Sequence, residues 1–169
     1  MTNISLIRLS DEHTIAFKEE MQEAFQHGFM AYYKDDNQWQ VLPDKDFYQS
    51  LEAEGAEAYE AVNEDGQRVG GAIITANGTM GELAFLYVKV GVQSKGIGQS
   101  IWKSIEIMHP EIEVWETCTP YFDRRNIHFY INRCGFHAIE FFNEHHPDPN
   151  MPEQFDQEDG LFKFEKRMI

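Results

Sequence analysis

The run Gln93, Ser94, Lys95, Gly96, Ile97, Gly98 carries the most specific chemistry in this sequence. It stands between an apolar stretch with strand character and an amphipathic stretch with helix character. Two glycines separated by one residue allow a tight turn and a close approach of backbone to a ligand. The helix that follows would aim unpaired N–H groups and the positive end of its dipole at the same point. Together these describe an anion site of pyrophosphate size, with Lys95 adding a mobile cation. A Walker loop is excluded, because no Gly-Lys-Ser/Thr follows the glycines. A dinucleotide fingerprint would need a third glycine where this chain has Ile101, although Glu116 does lie about 20 residues downstream, as that fold requires. A glycine turn that holds nothing is the remaining alternative.

Other reactive side chains are less persuasive. His145, His146 and Asp148 suggest zinc, yet adjacent histidines project in different directions and no second ligand pair stands at a suitable spacing. A polar loop near a substrate is the preferred reading, with no metal. The only cysteines, Cys118 and Cys134, are expected as reduced thiols without a catalytic partner, Cys134 packing at a helix end.

The elements that must position the glycine loop follow from periodicity. Ile4 to Ile7 reads as a short strand, with Ser10-Asp11 as the N-cap of a helix from His13 to Phe29. Within that helix Ile15, Phe17, Met21, Ala24, Phe25 and Phe29 recur every three to four residues. A second helix runs from Pro43-Asp44 to about Glu54 and ends at Gly55. A three-stranded meander follows, over 58–62, 69–75 and 82–90, with turns at Gly66 and Asn77-Gly78. The glycine loop then leads into a helix to about Met108. A strand over 112–118, a helix over 123–134 and strands over 136–142 and 161–168 complete the chain. Hairpins joined to a β-α-β-α-β segment imply an α/β (α+β) fold whose mixed sheet carries helices on its faces.

That order and two motifs resemble the GNAT superfamily of acetyl-CoA-dependent N-acetyltransferases. Its Gln/Arg-x-x-Gly-x-Gly/Ala signature after the fourth strand is matched by Gln93, Gly96 and Gly98. The approach from Leu86 to Val90 is similar to the family's hydrophobic-x-Val-x-Pro run, with Val90 in place of Pro. Phe129-Tyr130 followed by Cys134-Gly135-Phe136 resembles the family's Leu-Tyr…Gly-Phe pattern. Here Tyr130 stands five residues before Gly135 rather than the usual four, and Asp123 replaces an Asn seven residues before the Tyr. Asn126, one helical turn before Tyr130, is the expected substitute.

The resemblance implies a mostly antiparallel, mixed central sheet of about seven strands. About four helices flank it, and it is splayed between the fourth and fifth strands. One N-acetyltransferase domain would span residues 1–169. Acetyl-CoA would be a co-substrate. Backbone groups of Val88 and Val90 would pair with its pantetheine arm as an added strand. Amides of Ser94, Lys95, Gly96, Ile97, Gly98 and Gln99, beside Gln93, would cradle the pyrophosphate. Tyr130 would protonate the leaving thiolate.

The acceptor amine must lose a proton before it attacks, and a carboxylate can take it directly or through water. Glu82 is the candidate, eleven residues before Gln93 as in the family's histone-acetylating branch. Strand alternation groups it with Ala84, Leu86 and Val88, opposite Leu83, Phe85 and Tyr87. An ordinary strand-end carboxylate is the alternative. Proton transfer from Tyr130 to the thiolate is uphill by only ~2 kcal/mol on reference pKa values, so modest stabilisation of the tyrosinate would offset it. A backbone N–H near Val88 could hold the oxyanion.

Composition supports one aromatic-rich core, with 13 Phe, 7 Tyr and 3 Trp in 169 residues. A net charge of −15 excludes a nucleic-acid binder. No apolar run approaches membrane-spanning length, and the opening residues lack a signal pattern, so a cytoplasmic monomer or homodimer is expected. Residues 1–81 carry 15 acidic and 5 basic side chains and residues 134–169 carry 8 and 3, whereas 82–133 carry 6 of each. The cofactor segment is thus spared the acid that would surround the acceptor, and a small cationic amine is expected. Acetylation of a peptide, a protein N-terminus or lysine is a second reading, and a non-catalytic acyl-CoA sensor a third.

Overall fold

Short polar turns fold the middle of the chain back on itself. At one of them the Asn63 side chain accepts from the backbone N–H of Asp65 and Gln67, which closes the link between β2 (Ala56–Val62) and β3 (Arg68–Asn77). A second turn joins β3 to β4 (Met80–Val88). The computed structural model describes residues 3–32, 40–92, 96–149 and 160–168. These form a seven-stranded sheet, with β1 (Ser5–Arg8), β5 (Val114–Pro120), β6 (His137–Phe142) and β7 (Leu161–Arg167), in the order β1-β2-β3-β4-β5-β7-β6. Every neighbouring pair is antiparallel except β4 and β5. The expected mixed, mostly antiparallel sheet is therefore present.

Helices cover both faces because each has one apolar stripe. On one side lie α1 (Thr14–Tyr32) and α2 (Asp44–Glu52), which bury Phe17, Met21 and Phe47 against Ile73 and Tyr87. On the other side α3 (Ile97–Met108) buries Ile97, Ile101, Trp102 and Ile105. Trp102 meets Trp115 edge-on at 5.0 Å between ring centres, and Phe136 at 5.2 Å. Each such fully buried large side chain contributes about 1.5–3 kcal/mol. Ser10 stands at the N-cap position as the sequence suggests, but its side chain makes no capping bond. A 3-10 turn over Asp11–His13 comes first, and it is the Ser10 carbonyl that accepts, from the Thr14 hydroxyl at 3.0 Å.

Two irregularities shape the centre. Ile73 pairs with Phe85 and Ile74 with Leu83, so Ala84 is an extra residue, a β-bulge in β4. The bulge corrects the simple alternation. Leu83, Leu86 and Val88 pack with the α3 side, whereas Ala84, Phe85 and Tyr87 pack with the α1 side. Glu82 precedes the bulge and points away from Leu83, so it lies across the sheet from Leu86 and Val88 rather than beside them.

The helix expected over 123–134 is also divided. α4 (Arg124–His128) gives way to a π-helical turn over Phe129–Arg133, closed by Cys134 N–H donating to the Phe129 carbonyl at 3.0 Å. A π turn holds one more residue than an α turn. It absorbs the extra residue between Tyr130 and Gly135.

Candidate active site

The site begins where β4 and β5 part. They pair at only three positions, Met80 with Val114, Gly81 with Trp115 and Glu82 with Glu116. Just beyond, the Thr117 hydroxyl donates to the Leu83 carbonyl at 2.8 Å, a side chain standing in for a backbone partner. Past that bond no described strand pairs with β4 on this side. Lys89 N–H donates to Val69 O, and antiparallel alternation then turns the peptide groups of Leu86 and Val88 to the open side. Leu86, two residues before Val88, shares its parity with or without the bulge, but no pantetheine contact was assigned to it from the sequence. Val90 lies beyond the end of β4, next to the turn at Gly91.

Gly96 caps α3 in the left-handed conformation, with φ 81° and ψ −1°, and accepts the first helical bond from Ser100 N–H at 2.9 Å. A residue with a Cβ would be strained there. Gly98 has a different reason to be glycine, since a Cβ there would meet the Phe129 ring at 3.2 Å and Val88 at 3.7 Å. Its small size lets α3 and the π turn close on the end of β4. Ile97 turns its side chain into the core, and the Gln99 amide donates to the Arg133 carbonyl at 3.1 Å, tying α3 to the π turn. Gln93, Ser94 and Lys95 lie outside the described residues. Asp123 is the N-cap of α4, accepting from Asn126 N–H at 3.1 Å, so Asn126 enters this cap through its backbone.

Tyr130 is buried among Phe129, Phe136 and Phe164, at ring separations of 5.3, 5.7 and 6.0 Å. Burial raises its pKa well above the ordinary tyrosine value, with the Cys134 and Asp123 groups adding and only the Thr117 hydroxyl opposing. The tyrosinate is therefore not stabilised as the sequence reading required. Its contact with Thr117 nevertheless puts the phenol at the parting of the strands, on the α3 side.

Glu82 occupies the same parting from the α1 side. It is open to solvent as a residue, yet the protein around its carboxylate withdraws water and raises its pKa. The Glu116 charge raises it further and Lys163 opposes. Lys163 Nζ stands 2.9 Å from Glu116 Oε2. Neither Glu116 nor Lys163 was assigned a role from sequence; the signal lay in the polar alternation of β5 and β7, which has meaning only once the strand order is known. Nearby, Phe25 meets Phe85 at 5.7 Å and Phe29 meets Phe122 at 5.4 Å, giving this side an aromatic wall.

His146 and His145 have separate carboxylate neighbours, Glu140 at 2.8 Å and Glu144 at 3.3 Å, and His146 stacks on Phe142 at 5.5 Å. Among the described residues no group of three or more potential ligands could hold a metal, and no helix is long and apolar enough to cross a membrane.

Comparison with known proteins accounts for this arrangement. Residues 15–136 match the Acetyltransferase (GNAT) family. A Bacillus subtilis protein, YrkN, described only as uncharacterized, is 42% identical over 137 residues, which cover 80% of this chain and 74% of the relative. A GNAT acetyltransferase from Elizabethkingia anophelis, solved with acetyl-CoA bound, superposes with a TM-score of 0.70 at 13% identity, covering 98% of this chain and 99% of that one. Spermidine N-acetyltransferase from Vibrio cholerae, solved with CoA and spermine, superposes at 0.68 with 10% identity over 97% and 95% of the two chains. A strand seam opened by three-residue pairing, a left-handed glycine at the head of α3 and a family match over most of the chain place this protein in the GNAT family of acetyltransferases.

Proposed function

We propose that the enzyme moves acetyl from acetyl-CoA to a primary amine of a small cationic molecule, by direct attack in a ternary complex. The observation that carries this reading is the pair of groups on opposite sides of one opening, Tyr130 beside Thr117 and Glu82 beside Glu116. The pantetheine arm would add to β4 along the peptide groups of Leu86 and Val88, with Val90 and the glycine loop continuing toward the pyrophosphate. Gly96 leaves room at the α3 N-terminus for that anion. The thioester would then reach through the seam toward the α1 side.

There Glu82 would accept the ammonium proton, directly or through water. The amine nitrogen bonds to the acetyl carbon and the C–S bond breaks as Tyr130 gives its proton to sulfur. The tyrosinate then takes the second proton from the nitrogen, which leaves the amide with one N–H and Glu82 to release its proton to solvent. Desolvation that holds the Tyr130 proton would raise the thiol in the same site, so their difference, not either absolute value, sets the cost of transfer. Acid on the acceptor side, with an aromatic wall for methylene groups, suits a cationic amine. The spermine-bound structural neighbour supports this choice of probe.

The test is free-thiol release from acetyl-CoA with spermine, against an amino acid whose carboxylate would be repelled, at low and high salt. We expect spermine to be preferred and its kcat/KM to fall roughly tenfold as salt is raised to molar levels. Preference for an anionic acceptor, or indifference to salt, would reject the cationic acceptor. Acetyl-CoA binding without turnover on any amine would favour the sensor.

A further inference from the structure

The last pair before the seam opens joins two glutamates, Glu82 on β4 and Glu116 on β5. Residues paired in a sheet project to the same face, and Gly81 with Trp115, one position earlier, take the opposite face. Both carboxylates therefore stand on the α1 side, at the edge of the opening. Like charges on directly paired positions are unfavourable, so the pair needs an explanation.

The two are not equivalent. Lys163 on β7 holds Glu116 at 2.9 Å, whereas among the described residues Glu82 has no hydrogen-bonded or ion-paired partner. Glu165, the β7 residue paired with Glu116, is itself held by Arg167 at 2.9 Å. Resting on the reading of Glu82 as the base, we infer that Glu116, fixed by Lys163, is a positioning residue that keeps Glu82 as the proton-accepting member of the pair. Lys163 pairs with Glu116 directly and leaves Glu82 without such a partner. The fixed negative charge of Glu116 then makes Glu82 the better proton acceptor without touching the substrate.

The other groups around Glu82 are consistent with this division. β3 supplies Thr75, its paired residue, which does not titrate. β5 adds Cys118, whose thiol desolvation and the Glu82 and Asp148 carboxylates push up to about 12, so it stays neutral. β7 supplies Lys163 and Glu165, and Glu140 of β6 acts on Lys163. From α1 the contact recorded with this part of β4 is aromatic, Phe25 on Phe85. Desolvation and Glu116 raise Glu82 while Lys163 lowers it, and Lys163 is itself raised by its bond to Glu116.

The test is a carbon-13 titration of side-chain carboxyls in glutamate-labelled protein, with the Glu82 signal identified by its loss in Glu82→Gln. Glu116→Gln should lower the Glu82 midpoint by roughly half to one pH unit, and Lys163→Met should raise it. Glu116→Asp, which keeps the charge, should leave it nearer the wild-type value and covers the case in which Glu116→Gln does not fold. An unmoved midpoint, or shifts of one sign in both neutralised variants, would overturn the role of Glu116. The rising limb of kcat/KM against pH, measured with spermine, should follow the same shifts. If the carboxyl midpoint moves and the rate limb does not, Glu82 is not the base, and it is the parent reading that fails.

Discussion

The two halves of the sheet are fastened by different means. In the β1–β4 half, strands pair along their lengths and a charged network lies beneath α1. The Arg68 guanidinium donates twice to Glu20, at 2.8 and 3.0 Å, and again to Glu60, which is only 5% exposed. Tyr87 adds its hydroxyl to Glu20 at 3.1 Å, and His13 reaches Glu60 at 3.0 Å. In the other half β7 runs between β5 and β6, pairing with β5 over all seven residues of each strand. Between the halves the sheet has three residue pairs and one hydroxyl bond, preceded by Glu113 N–H donating to the Thr79 carbonyl at 2.7 Å. Stability is built within each half, and the groups proposed for chemistry gather where pairing was given up. Each absent ladder bond forgoes about 1 kcal/mol, and the vacated edge is what an extended ligand can use.

The sharpest way to break this contrast is to remove Arg68. Burial alone would raise the Glu20 pKa, but the Arg68 bonds outweigh it and hold the carboxylate below its ordinary range. Arg68→Met would leave Glu20 and Glu60 with charges that little solvent reaches. We expect a loss of about 3–5 kcal/mol in urea unfolding, with Glu60→Gln added to Arg68→Met recovering part of it. Turnover per folded molecule should stay within about threefold, because the network belongs to the closed half. A collapse of turnover in protein that is still folded would show that the halves act as one unit.

A smaller effect, on rate alone, is expected at the seam. Tyr130→Phe keeps the ring among Phe129, Phe136 and Phe164 and removes only the hydroxyl at Thr117. Turnover should fall by about a hundredfold or more while acetyl-CoA affinity changes less than twofold. Equal losses in both would mean that the hydroxyl serves the packing of the π turn rather than the transfer.

Much of this contrast is legible in the sequence, and the exceptions have a common cause. Element order follows from local information, such as the spacing of Phe17, Met21 and Phe25 or the punctuation at Gly55 and Gly78. Family motifs carried Gly96, Gly98 and Tyr130 to the right elements. What was not legible depends on pairing between distant segments. The bulge at Ala84 exists only against β3, and it moved Glu82 to the other side of the sheet from Leu86 and Val88. Lys163 finds Glu116 only because β7 inserts beside β5. The π turn did leave a trace, the one-residue excess between Tyr130 and Gly135, but spacing alone does not say where a helix will absorb it.

The smallest expected effect is also the one that joins stability to function. Desolvation first, and Glu116 second, raise the folded-state pKa of Glu82 above its unfolded value. A carboxyl with a raised folded pKa favours folding in its protonated form, so its contribution is fully present below the unfolded pKa. That contribution is lost as pH rises through the folded value. At neutral pH the ionised Glu82 is therefore a net cost to the fold. Because the residue remains open to solvent, the cost is only a few tenths of a kcal/mol. Glu82→Gln should accordingly be slightly more stable than wild type at pH 7, with the gain fading toward pH 4, while transfer to spermine falls steeply. Urea titrations at both pH values, read against the same thiol-release assay, separate the outcomes. A variant that loses stability at pH 7 would mean that the carboxylate helps to hold the seam. A variant that gains stability without losing turnover would leave the seam intact and require another base.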